Sequence, residues 1–169
     1  MPDAYIKVEG IEGSSTDADH KKWIEILAYS HSITQPINAS MAGRRAEGRA
    51  QWGDFIIVKE KDKASPLLAH ACAAGNHIPK VEVELMAAGA AGTNKRNRYM
   101  KFQLQDVYVS SFKSGNSSSA TVGGNSQRPV EEVCLNFGKI KWEFTPDLTA
   151  KAESPVIKGW DRDNNQDAS

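Results

Sequence analysis

Apolar and polar residues alternate with a period of two along most of this chain. In segment 77–88, Val81, Val83 and Leu85 alternate with Lys80, Glu82 and Glu84; in 98–112, Met100, Phe102 and Leu104 alternate with Lys101, Gln103 and Gln105. That period gives a strand one face on a core and one face in water. Segments 22–35 and 51–60 are rich in branched and aromatic residues, which suit a pleated, half-buried surface, and a short first strand is predicted at 4–8. Segment 129–145 sets Val133, Leu135 and Phe137 on one face and then Ile140, Trp142 and Phe144. The phase slips by one residue at Gly138-Lys139, which predicts a bulge at the glycine. A second slip is predicted near 26–28, because Ile24 and Ile26 share the parity of Ala28, Ser30, Ser32 and Thr34.

One helix interrupts the strands. Ser65 is placed to cap it, Pro66 to begin it and Gly75 to close it in a left-handed conformation. Leu67, Leu68, Ala71 and Cys72 fall on one side at helical spacing, so the helix is expected to lie against a sheet. Loops at 36–50, 89–97 and 114–127 are polar. The pattern predicts a mainly β protein: an antiparallel two-sheet barrel or sandwich of about six strands with one accessory helix near 65–75. Residues 1–160 form a single domain, and 161–169, without strand periodicity, a mobile tail.

Charge and chemistry narrow the picture. Lys+Arg and Asp+Glu both number 21, so the formal charge is zero. That argues against a nucleic-acid or anionic-membrane binder, whose affinity comes from clustered positive charge. Cys72 and Cys134 belong to no C-x-x-C pair and read as reduced, buried thiols. The first residues lack a basic stretch followed by an apolar one, and no run is long enough to span a membrane. The chain is therefore expected to be made and folded in the cytoplasm and to leave, if exported, without a cleavable leader. His20, His31, His70 and His77 form no H-x-x-x-H or H-x-H pair, and no G-x-S-x-G or G-x-x-x-x-G-K-[ST] pattern occurs. Neither a catalytic residue nor a cofactor or metal site is predicted.

Two stretches invite a different reading. Ser30, Ser32 and Thr34 form a small, uncharged, hydroxyl-bearing face, fit for a surface that must be wet without being adhesive. Arg44, Arg45 and Arg49, with Glu47 between them, form a charged loop suited to solvent first and to a neighbouring subunit second.

The stretch Ile11 to Ile24 resembles the I-x-G-x-S-x-D-x-x-H-x-x-W-I pattern of the haemolysin-coregulated protein (Hcp) family, with Ser15 or Ser14 as the serine. Asp62-Lys63-Ala64-Ser65-Pro66 and Ala71-Cys72 through Gly75 to His77 look like that family's entry to and exit from its helix. Arg128-Pro129, Glu131, Val133, Leu135-Asn136-Phe137, Ile140 and Trp142-Glu143 are similar to a further segment, and Lys158-Gly159-Trp160-Asp161 to the close. The likeness runs from Ile6 to about Asp161. It implies a two-sheet barrel with a lateral helix, hexameric rings that stack into the inner tube of type VI secretion, a sheath that propels the tube, a VgrG spike and effectors held in the lumen. It also implies export through that apparatus. Ser30, Ser32 and Thr34 then become lumen candidates, and Arg44, Arg45, Glu47 and Arg49 candidates for a contact between rings or subunits. The chain departs from the family at 41–49, where a glycine run is common, and at Tyr29-Ser30-His31, where aromatic-Ser-Trp is usual. Two other readings are a monomeric β-sandwich that binds a sugar or peptide and a metal-dependent barrel enzyme.

Overall fold

The computed structural model describes residues 3–39, 45–87, 96–115, 129–146 and 154–169. Its main sheet holds β1 (Asp3–Val8), β2 (Ile24–Ile26), β3 (Ala28–Ser30), β8 (Phe55–Glu60), β9 (Ile78–Ala87), β10 (Asn97–Ser114), β11 (Val130–Phe144), β12 (Val156–Asp161) and β13 (Gln166–Asp167), all paired antiparallel. The order is β13-β12-β11-β10-β9-β1-β2, while β8 pairs with the first half of β11 and with β3. Two short ladders stand apart: β4 (Ile33–Thr34) with β7 (Gln51–Trp52), and β5 (Ile37–Ala39) with β6 (Arg45–Glu47). The single helix among the described residues is α1 (Ser65–Ala74).

Between β2 and β3 the chain bends at Leu27, whose N–H donates to the Val58 carbonyl at 2.7 Å. This is the predicted slip at 26–28. It lets one stretch of chain leave β1 and join β8, so the two margins of the sheet meet in a barrel. Ile6, Ile24, Phe55, Ile57, Val83, Leu104, Leu135 and Ile140 fill its interior.

The slip at Gly138 is present, but it is not a bulge. Gln105 still faces Lys139 and Val107 still faces Phe137, so neither strand gains a residue there. Instead Asp106, opposite Gly138, adopts φ +53°. Both strands reverse their facing together: Leu104 and Val107 are buried on β10, Phe137 and Ile140 on β11. A Cβ on Gly138 would lie 3.2 Å from the Asp106 Cβ, so the crease favours a glycine. The register shifts lie elsewhere on β10, between Val109 and Ser111 against β11 and between Arg98 and Met100 against β9.

At the helix, Gly75 closes α1 with φ 63° and ψ 37°, as predicted. Ser65 is not the cap; the N-cap is Ala64, which has no side-chain cap, and the Ser65 hydroxyl accepts from the Asp62 N–H at 3.0 Å and bonds inward. Leu68 and Ala71 are buried, whereas Leu67 is exposed. Both cysteines are free and half-buried rather than buried. Residues 161–169, which the sequence sets apart as a tail, turn back so that β13 pairs with β12 and Ala168 N–H donates to the Gly159 carbonyl at 3.1 Å.

Candidate functional site

The crease divides the outside of the barrel into two walls of different chemistry. Cross-strand register places Glu84, Lys101 and Glu143 in one row and Lys7, Glu82, Gln103 and Lys141 in the next. Lys80–Glu82 (2.9 Å), Glu82–Lys101 (3.0 Å), Lys101–Glu84 (3.3 Å), Glu84–Arg98 (3.1 Å) and Arg98–Glu143 (2.6 Å) link this wall by ion pairs. Burial pushes the Glu82 and Glu84 carboxyls up, but hydrogen bonds from Lys80 and Lys101, and from His20 and Arg98, leave both below their ordinary value. Beyond the crease the rows read Ser30, Ile56, Cys134 and Ser111, then Ala28, Val58, Glu132 and Lys113. The charges in these two rows are one ion pair, Lys113–Glu132 at 2.8 Å. At the margin Asp54 accepts from Ser110 Oγ (2.6 Å) and Asn136 Nδ2 (2.9 Å).

The loop from Ile11 to Trp23 covers the charged wall, and its family-like residues are what fold it there. Gly13 and Ser15 donate to the Lys22 and Trp23 carbonyls, and a Cβ at Gly13 would collide with the Trp23 main chain. Asp17 Oδ1 accepts from the N–H groups of Asp19 and His20. His20 is 3% exposed, with Nδ1 3.1 Å from Asp17 and Nε2 3.0 Å from Glu84; its ring stacks on Tyr5 at 4.2 Å. Burial pushes the Asp17 carboxyl up; hydrogen bonds from His20 and from the backbone of Asp19 and His20 outweigh it and bring it below its ordinary value. In the sequence His20 belongs to no histidine pair, and its position three residues after Asp17 is the signal of its role.

A second buried cluster fastens α1. The Lys59 ammonium, fully enclosed, lies 2.8 Å from Asp62, 3.2 Å from Glu131 and 3.1 Å from Ser65 Oγ, and Ser65 donates to Glu131 at 2.6 Å. At the chain's close, Asp161 Oδ1 accepts from the N–H groups of Asp163 and Asn164. The Asn164 backbone and side chain, with Lys139, hold its carboxyl down to about 2. The recurrent acids of the sequence motifs thus bind the protein's own backbone and cations.

The structure separates the three hydroxyl residues. Ser30 is exposed on β3 in the uncharged wall. Ser32 follows β3, its carbonyl accepting from Gly53 N–H at 3.0 Å, and Thr34 lies on β4 opposite Gln51. Both are exposed at the root of an arm whose described residues, 33–39 and 45–52, carry the β4–β7 and β5–β6 ladders. Ile33 and Ile37 on this arm are 46% and 58% exposed. Arg45 and Glu47 belong to β6, whereas Arg44 lies outside the described residues, as does most of the predicted loops at 89–97 and 114–127. Arg49 turns back: its Nη2 donates to the Arg162 carbonyl at 2.6 Å.

Between the arm's root and the turn after β12 lies a cleft of about 570 Å³ lined by Arg49, Trp52, His77, Asp106, Tyr108 and Arg162. Of its two acids, Asp106 and Asp163, the first is paired with His77 at 3.1 Å. Burial, then Glu132 and Asp54, push the Cys134 thiol up, the opposite of what a nucleophile needs. Among the described residues no three His, Cys, Asp or Glu side chains are grouped to hold a metal, and no helix is long and apolar enough to cross a membrane.

Residues 5–144 match a family described as "Type VI secretion system effector, Hcp". Protein hcp1 of Pseudomonas aeruginosa is 32% identical over 168 residues, covering 98% of each chain. The "Major exported protein" of the same organism is 25% identical, covering 85% of this chain and 83% of its own. A solved structure described as that of a type six secretion system protein superposes with a TM-score of 0.83 at 28% identity, covering 99% of both chains.

Proposed function

This chain belongs to the Hcp family of type VI secretion proteins, and from that premise we propose that it is the ring-forming subunit of a secretion tube. Family membership makes it a structural, secreted protein and not an enzyme. In the proposed assembly six copies close into a ring through a heterologous contact and the rings stack along an axis. A sheath drives the tube outward, a VgrG spike caps it, and effectors ride in the lumen. Synthesis takes place in the bacterial cytoplasm, and export follows the tube itself.

The observation that carries this reading is the inequality of the two walls. A channel that passes proteins of varied charge requires a surface without fixed, unpaired charge and without a large sticky patch. The rows through Ser30, Ile56, Cys134 and Ser111 answer that description, and Ser30 is their exposed hydroxyl. Ser32 and Thr34 continue the same chemistry toward the arm. The exposed apolar residues suited to subunit contacts lie elsewhere: Ile33 and Ile37 on the arm, and Phe144, Val156 and Ile157 where β11 meets β12. Arg45 and Glu47, on β6, are the proposed contact between rings together with Arg44 of the sequence, and Arg49 braces the root of the arm.

Negative-stain electron microscopy of the untagged protein tests this directly. Six-fold annuli with an open centre are expected at micromolar concentration, and a protein that stays monomeric as its concentration rises refutes the assembly. Within annuli, Ser30→Arg is expected to weaken retention of cargo while leaving rings intact; unchanged retention removes Ser30 from the lumen. Reversing Arg44 and Arg45 to glutamate should reduce stacking at low salt, as read by sedimentation.

A further inference from the structure

His31 follows β3 and leads into the arm, and neither of its ring nitrogens, both buried, has a hydrogen-bond partner. Its ring lies among Trp52, Phe55, Phe102, Phe137 and Trp142, with centroids 5.8 to 6.5 Å away. Trp52 ends β7, so this cluster is where the arm is joined to the barrel. Arg162 completes the joint. Its guanidinium lies 4.8 Å from the Phe137 ring centroid and 5.9 Å from that of Trp52, Nη1 donates to the Phe137 carbonyl at 2.7 Å, and its own carbonyl holds Arg49.

A neutral imidazole in this enclosure already forgoes its hydrogen bonds. An imidazolium would add a desolvated charge, and no carboxylate bonds to the ring to offset it. Attraction to aromatic faces would recover part of that cost, yet Arg162 already occupies those of Trp52 and Phe137. Burial and then the Arg162 charge hold His31 below the ordinary histidine value. The charged groups that act on Arg162 in turn are Asp54 and Asp163, which attract it, and Arg49, which repels it.

We infer that His31 is a proton-operated latch: protonation expels its ring from the aromatic cluster and frees the arm spanning Ile33 to Trp52. The sign follows from the lowered value. The neutral form's contribution is whole above 6.5, the value for a free histidine, and is lost as pH falls from there toward the folded-state value. If the arm joins rings, as proposed above, acid loosens stacking; that consequence rests on the assembly reading, and the latch itself does not.

Hydrogen exchange of the full chain, followed by mass spectrometry of peptides covering 33–52, tests it at about pH 7.5 and about pH 5.5, either side of the free-histidine value. With intrinsic rates corrected, arm protection in the wild type should fall at least about threefold more than in His31→Phe. The other three histidines are common to both proteins, so the difference isolates His31. An equal fall in both, or none in the wild type, overturns the latch. Should His31→Phe fail to fold, imidazole and amide NMR titration of the wild type decides. Arm amides that move together with a His31 titrating below the free-histidine value support the latch, and arm amides that ignore it sink it. Rings that are absent by microscopy at both pH values would refute the assembly reading while leaving the exchange result to stand.

Discussion

On one side of the crease the outward side chains are long, charged and paired with one another; on the other most are short, neutral or apolar, with the pair Lys113–Glu132 among them. Both walls cover the same core and share β10 and β11, so the contrast is not a matter of which strands are buried. It arises because the outward residues of β9 and the first half of β10 are mostly Lys, Glu and Gln, whereas those of β8 and the first half of β11 are mostly Ile, Val, Cys and Asn, with Glu132 paired to Lys113 and Glu60 at the end of β8. The charged wall stabilises its own barrel, since its carboxylates are drawn onto His20, Arg98 and Lys101. The uncharged wall makes few such bonds and is free to face something else.

Four changes break or sharpen that contrast. The largest effect is expected from Gly13→Ala, whose methyl group has no room beside the Trp23 main chain and would lift the loop off the charged wall. A loss of about 3 kcal/mol by urea unfolding is expected. Glu84→Ala removes the carboxylate shared by His20, Arg98 and Lys101 and leaves the buried His20 half-partnered. About 2 kcal/mol should be lost, and a value within error of zero would mean that the wall's ion pairs do not support the fold.

Acid is the third lever. Glu82 and Glu84 titrate below 4.5 in the folded chain, so their stabilisation is complete above that pH and disappears as pH falls through the folded values. The denaturant midpoint should therefore fall as pH is lowered below 4.5, and less steeply in Glu82→Gln. The smallest effect is expected on the uncharged wall, where Ser111→Ala should change stability by less than about 0.5 kcal/mol and leave the acid slope as in the wild type.

Legibility followed the range of the physics involved. The strands at 77–88, 98–112 and 129–145 show in the sequence because alternation repeats over many residues, and Gly75 shows because few other residues accept its left-handed backbone. β12 and β13 did not show: Val156, Ile157 and Lys158 are all exposed, so no alternation marks the strand, which forms by pairing with a β11 already in place. The single run predicted at 22–35 became β2, β3 and β4 because the chain changes neighbours twice within it. Ser30, Ser32 and Thr34 have one parity in the sequence but three different settings in the fold for the same reason.

What the sequence by itself determined was the class of protein and its family: a period-two pattern needs a core on one side, and the ordered motifs from Ile11 to Asp161 identify which arrangement supplies it. Only the tertiary structure decided which outward face is charged, because facing reverses at Asp106 and Gly138 without any change in register. Nor could the sequence place His20 between Asp17 and Glu84, or His31 among five aromatic rings contributed by four strands. A histidine's charge depends on burial and on neighbours distant along the chain, and those exist only once the barrel has formed.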